Sequence, residues 1–164
     1  MANAKKIILV ALEEERPKST LPGFQIEYTG VGKINAALKT AEVIHEFSPE
    51  LIINYGTVGG LAKNLYGLVE ISHFLQRDMD ARGLGFEIGQ TPFDPVLTIS
   101  FGRTGHSCGT GDSFVTKPPG IETDVVDMEA YAMAKTCFLK RVDFACYKFI
   151  SDGANEGAPM DWAE

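Results

Sequence analysis

Hydrophobic and polar positions alternate along the chain in two different periods. The run KKIILVAL (5–12) is short, apolar and rich in β-branched residues, the pattern of a buried strand. FQIEYTGVG (24–32) alternates and ends in glycines, predicting a second strand. From Lys33 to Phe47 the period changes. Ile34, Ala37, Leu38, Ala41, Ile44 and Phe47 recur at threes and fours, which predicts an amphipathic helix stopped by Ser48-Pro49. ELIINYG (50–56) predicts a buried strand, and GTVGGL (56–61) a glycine-rich turn after it. GLVEISHFLQRDMD (67–80) predicts a long strand. The glycines and prolines of 81–95 predict a loop, PVLTISF (95–101) and HSCGTG (106–111) short strands, and KPPGIETD (117–124) another loop. Residues 126–140 carry a helical pattern, and VDFACYKFISDG (142–153) is a last buried strand with a polar tip. No repeat or linker interrupts the series, so one domain is expected.

Strands alternating with helices predict an α/β fold with helices on both faces of a mostly parallel or mixed sheet. Ligands of such folds bind beyond strand ends. Glu13 to Glu15, Gly56 to Gly60, Asp112 to Phe114 and Asp152 all fall at those ends.

Composition narrows the function. With 45% hydrophobic and 23% charged residues, the 164-residue chain has the balance of a globular domain able to bury a core. A net charge of −7 argues against a nucleic-acid partner or an anionic membrane surface, both of which repel it. It leaves room for a small anion in a local site. Cys108, Cys137 and Cys146 are odd in number and lack metal-ligand spacing, and His45, His73 and His106 are scattered. Neither a structural metal nor a disulfide framework is expected. The N-terminal apolar run is too short for a secretory signal, and no stretch approaches the ~20 apolar residues of a spanning helix. A reduced, cytoplasmic protein is the expectation.

Five segments could carry chemistry, and each has a plain alternative. Three glutamates after a buried strand (13–15) suit a solvated helix start, or one of them turns into a cleft as a general base. NYGTVGGL (54–61) lets backbone approach a ligand closely but fits neither a P-loop nor a dinucleotide fingerprint, and a tight turn explains it as well. GTGDSF (109–114) is compatible with a turn. In VVDMEAYAMAK (125–135), Glu129 points to solvent or to a pocket. Asp152, ending an apolar strand, is either a capping residue or a catalytic acid.

In order, ALEEE (11–15), GVGKINAA (30–37), NYGTVGGL (54–61), GFEIGQ (85–90), GTGDSFV (109–115), VVDMEAYA (125–132) and ISDGA (150–154) resemble the purine nucleoside phosphorylase and nucleosidase superfamily. The branch that they are most similar to is that of the 5'-methylthioadenosine/S-adenosylhomocysteine nucleosidases. The resemblance implies a three-layer α/β/α fold around a mixed central sheet. It implies cleavage of a purine–ribose bond with no metal or organic cofactor. Asp152 would protonate or hydrogen-bond the imidazole ring of the departing purine. Glu15 would activate water, and Glu129 would grip the ribose hydroxyls. Met128 would pack on the sugar, Phe114 would stack on the purine, and the Val115 backbone would read its edge. Thr57, Val58 and Gly59 would line the site near the water or phosphate. Such chemistry passes through an oxocarbenium-like state and needs a proton for the leaving group and a positioned nucleophile. Acid work by Asp152 near neutral pH calls for burial in an apolar pocket.

Departures from the family pattern set further expectations. The segment between 90 and 109 is short, and the chain ends at Glu164, where the family continues into a long helix. A single domain over 1–164 is expected, and two explanations of the missing helix stay open: a compact variant of the family, or a truncated chain. Val115 and Leu12 stand where the adenine-specific branch often has isoleucine and methionine. The acidic 13–15 segment disfavours phosphate and favours hydrolysis. A phosphorylase using Arg77 or Arg103 as phosphate ligand, and a nucleoside-binding module without catalysis, remain open. The family's habit also implies a homodimer, with residues 73–89 in the region that closes a neighbour's site.

Overall fold

The computed structural model describes residues 5–102, 104–155 and 157–158. In chain order the elements are β1 (Lys6–Val10), β2 (Gln25–Tyr28), α1 (Lys33–Phe47), β3 (Leu51–Gly60), β4 (Leu68–Gln76), β5 (Ile99–Ser100), β6 (His106–Thr110), β7 (Val125–Asp127), α2 (Ala130–Lys140) and β8 (Asp143–Asp152). They build one mixed sheet of eight strands. β1 lies parallel between β2 and β3. β3 then pairs with both β7 and β8, and β4 with both β6 and β8. Because β6 also pairs with β7, the strands β3, β8, β4, β6 and β7 close a circuit. That closure brings the ends of strands distant in sequence to one place.

The α/β class and mixed sheet are as expected, but three local expectations need correction. The glycines of 56–60 do not turn. They continue β3, because Leu51 to Gly59 pair with β8 and the last two glycines pair with β7. Val126 and Asp127, expected to open the helix, are strand instead and with Val125 form β7, held by β6 and by the end of β3. α2 starts only at Ala130, whose N–H donates to Asp127 Oδ2 at 2.8 Å. Of the predicted strand 95–101, only Ile99 and Ser100 pair, antiparallel to β4.

α1 has the predicted bounds but a different buried stripe. Ala36, Thr40 and Val43 are buried, with Ala37, Ile44 and Phe47 beside them. Ile34 and Leu38 are 73% and 67% exposed. The small residues Ala36 and Thr40 let the helix approach its neighbours closely. The bulkier stripe is left outside.

α1 and α2 pack against each other and share one core with Ile7, Leu9, Ile52 and Phe74. Phe74 meets Phe144 edge-on at 5.3 Å between centroids. Burying such rings contributes roughly 1.5–3 kcal/mol each. Among the described residues, both helices therefore lie on one side of the sheet. The other side carries a smaller cluster of Ile8, Val10 and Ile26, covered by Leu21 and flanked by Tyr55. No helix among the described residues is long and apolar enough to cross a membrane.

Candidate active site

The ends of β1, β3, β4, β7 and β8 converge on a cavity of about 200 Å³, with the turn after β6 as a further wall. Glu15, Thr57, Val58 and Gly59 line it. Met128, Glu129 and Asp152 line it too, as do Phe114 and Val115. All nine residues singled out in the sequence thus stand around one space. Ala11, Leu12, Val31 and Val126 give the walls an apolar character.

The chain turns tightly after β1, Glu15 N donating to Leu12 O at 3.1 Å. This turn separates the three glutamates. Glu13 and Glu14 are exposed, and Glu15 points inward. Its Oε1 accepts from Thr57 N at 3.0 Å and Thr57 Oγ1 at 2.7 Å, and its Oε2 accepts from Leu12 N at 3.3 Å. Three donors fix a carboxylate in place.

The glycines of β3 explain how charged groups crowd its end. A Cβ at Gly56 would stand 3.2 Å from Lys148 Nζ and 3.6 Å from Glu15 Oε1. A Cβ at Gly59 would stand 2.8 Å from Asp152 Oδ1, inside any normal contact. The glycines clear space for carboxylates over the strand, a role beyond backbone approach to a ligand.

Asp152 ends β8 and is half-buried. Its Oδ2 accepts from Ser151 Oγ at 2.8 Å and its Oδ1 from Ala154 N at 2.7 Å. The deeper carboxylate is Glu129, 8% exposed at the N-terminus of α2. Gly32 N donates to its Oε1 at 3.0 Å. Gly32 has φ +95°, a conformation that glycine adopts without cost, and this turns the start of α1 toward Glu129. Burial, and then the neighbouring charge of Asp127, push the Glu129 carboxyl up to about 7.

Sequence reasoning missed the groups beneath the cavity. Lys148 Nζ pairs with Asp127 Oδ2 at 3.1 Å, both side chains sealed from solvent. Thr110 Oγ1 donates to Asp127 Oδ1. Burial pushes Asp127 up, but Lys148, Thr110 and the Ala130 N–H outweigh it and hold the carboxyl below its usual range. The signal was a lysine in step with Phe144, Cys146 and Ile150 on the core side of its strand.

The cations considered for phosphate are placed differently. Arg77 touches the cavity, but its Nε donates to Gly109 O, and its Nη2 to the carbonyls of Gly111, Ser113 and Asp127. Arg16 stacks over the Tyr55 ring at 4.5 Å. Arg103 lies outside the described residues. Among the described residues, no group of three or more His, Cys, Asp or Glu is arranged to hold a metal ion.

The family pattern described as "Phosphorylase superfamily" matches residues 25–104. Within that class, the chain is 33% identical to the 5'-methylthioadenosine/S-adenosylhomocysteine nucleosidase of Staphylococcus epidermidis. That match covers 83% of this chain and 71% of the relative. It is 35% identical to the nucleosidase of the same name from Staphylococcus carnosus, with the same coverage. Among solved structures, the Neisseria meningitidis nucleosidase in complex with methylthio-immucillin-A aligns with a TM-score of 0.83 and 26% identity. It covers 97% of this chain and 90% of that one. A Helicobacter pylori nucleosidase mutant with 5'-methylthioadenosine in its active site aligns with a TM-score of 0.88 at 21% identity, covering 98% of this chain and 90% of that one, a likeness of fold. The chain belongs to the 5'-methylthioadenosine/S-adenosylhomocysteine nucleosidase family of the phosphorylase superfamily.

Proposed function

We propose that the protein hydrolyses the N-glycosidic bond of a purine nucleoside of the 5'-methylthioadenosine/S-adenosylhomocysteine type, releasing the free base. The carrying observation is that Glu15, Glu129 and Asp152, from three separate strand ends, surround one apolar cavity. Family membership supports the substrate class.

In this reading Asp152 supplies or shares a proton with the purine imidazole ring, so that the base leaves neutral. Glu15 orients the attacking water and accepts its proton as the bond to the anomeric carbon forms. Its fixed carboxylate is pre-set for that task, since Thr57 and Leu12 leave it little freedom. Glu129 takes the ribose hydroxyls, with Met128 against the sugar. Phe114, 44% exposed at the cavity rim, stacks on the base, and the Val115 backbone reads its edge. Val58 and Gly59 form the wall beside the water.

Hydrolysis is favoured over phosphorolysis because Arg77, the cation among the described lining residues, is engaged by backbone carbonyls. The test is Asp152→Asn with Glu15→Gln beside it. Each is expected to fold as the parent does and to lose turnover by at least about 100-fold. Near wild-type activity of either would remove that residue from the mechanism.

The same reading has the chain working as a single domain and as a cytoplasmic homodimer. Val31, Ile34 and Leu38 form an exposed apolar stripe on and before α1, and Val31 also lines the cavity. A partner covering that stripe would shelter the mouth of the site. Light scattering during size-exclusion should give twice the monomer mass. A monomer under active conditions would count against the dimer.

A further inference from the structure

Arg77 follows directly on β4 and is 7% exposed, yet among the described residues it has no bidentate carboxylate partner. Its side chain donates to four backbone carbonyls and one hydroxyl. Nε donates to Gly109 O at 3.1 Å, and Nη1 to Ser113 Oγ at 3.1 Å. Nη2 reaches Gly111 O at 3.2 Å, Ser113 O at 2.5 Å and Asp127 O at 3.3 Å. One guanidinium thus joins the end of β6, the turn leading to Phe114, and the end of β7. A buried guanidinium is costly to desolvate, and charge-assisted bonds to several carbonyls offset that cost.

The neighbouring residues show that the space was cleared for it. A Cβ at Gly111 would lie 2.8 Å from Arg77 Cζ. The next residue works on the same turn. Asp78 Oδ2 accepts from Asp112 N at 2.8 Å, and Asp78 Oδ1 pairs with Lys33 Nζ at 2.7 Å. Lys33 N in turn donates to Asp112 Oδ1, one residue beyond the Gly32 N–H that holds Glu129. Arg77 and Asp78 therefore grip alternate residues of the 111–113 turn and tie it to the segment that sets Glu129.

We infer that Arg77 is a positioning residue for base recognition, which holds the 111–115 turn so that Phe114 and Val115 face the cavity, and that it is not an anion ligand. The inference rests on the reading of Phe114 and Val115 as the purine-contacting residues. Lysine keeps the charge but not the fork of donors, and methionine keeps only the volume.

The test compares Arg77→Lys and Arg77→Met with the parent in two measurements. Amide exchange read by mass spectrometry, without ligand, should speed up about tenfold or more in 111–115 while β4 and β6 stay protected. With methylthioadenosine, KM should rise about tenfold in the lysine variant and further in the methionine variant, with kcat falling less. Unchanged exchange in 111–115, or a loss of kcat at constant KM, would overturn the inference. So would a phosphate-dependent activity that disappears with Arg77. If the methionine variant does not fold, the lysine variant decides. If the parent cleaves no nucleoside, the proposed function fails, and the exchange measurement still decides the role of Arg77 in the turn.

Discussion

Lys148 Nζ lies 3.1 Å from Asp127 Oδ2, with the two side chains 2% and 1% exposed, and Asp127 lines the cavity. Removing one partner of such a pair leaves the other charge buried and uncompensated. Asp127→Asn and Lys148→Met are each expected to cost about 3–5 kcal/mol in urea denaturation, and the double variant much less than their sum. Additive losses would show that the two groups do not act as a pair.

Glu129 carries an opposing expectation. Its carboxyl is pushed from 4.5 to about 7, by burial first and then by Asp127. The folded protein then holds this proton more tightly than the unfolded chain. The stabilising contribution is complete below about pH 4.5 and is lost as pH rises through about 7. Glu129→Gln keeps an oxygen for the Gly32 N–H and has no proton to lose. It should match the parent in stability at pH 4.5 and exceed it at pH 8, while nucleoside binding weakens. Equal stability at both pH values would contradict the placement of the titration.

Gly59 tests how closely Asp152 must sit. A methyl there would press on Asp152 Oδ1 at 2.8 Å and on Ala154 Cβ at 2.9 Å. Gly59→Ala should lower kcat about 100-fold, the scale of an ångström's misplacement at a reacting group. Gly60→Ala, whose methyl would meet Ile150 Cγ2 at 3.2 Å, is the milder control. Equal kcat in the two variants would mean that Asp152 tolerates displacement.

Thr57 isolates the nucleophile side. Thr57→Val removes the hydroxyl at 2.7 Å from Glu15 Oε1 and leaves the backbone N–H at 3.0 Å. A fall in kcat of about tenfold with KM unchanged is expected from one lost charge-assisted bond. A change in KM alone would place Glu15 in substrate binding.

Most of the sheet strands, α1 and the nine cavity residues were legible because each rests on local pattern or on an ordered set of short motifs. What escaped depends on contacts between distant segments. Val126 and Asp127 read as helix until β6 and the end of β3 are known to flank them. The glycines of β3 read as a turn until Glu15, Lys148 and Asp152 are seen to need their space. α1 has two continuous apolar stripes, and periodicity cannot choose between Ile34 with Leu38 and Ala36 with Val43. Arg77 stayed open as an alternative phosphate ligand because most of its acceptors are backbone carbonyls, which a sequence does not display.

The most direct measurement is product analysis by chromatography after incubation with methylthioadenosine, adenosylhomocysteine, adenosine and inosine, with and without phosphate. Free adenine from the first two in phosphate-free buffer is the expected result. Base released only with phosphate, together with a sugar 1-phosphate, would contradict hydrolysis and the role of Glu15. Binding without any release would leave the fold a nucleoside-binding module.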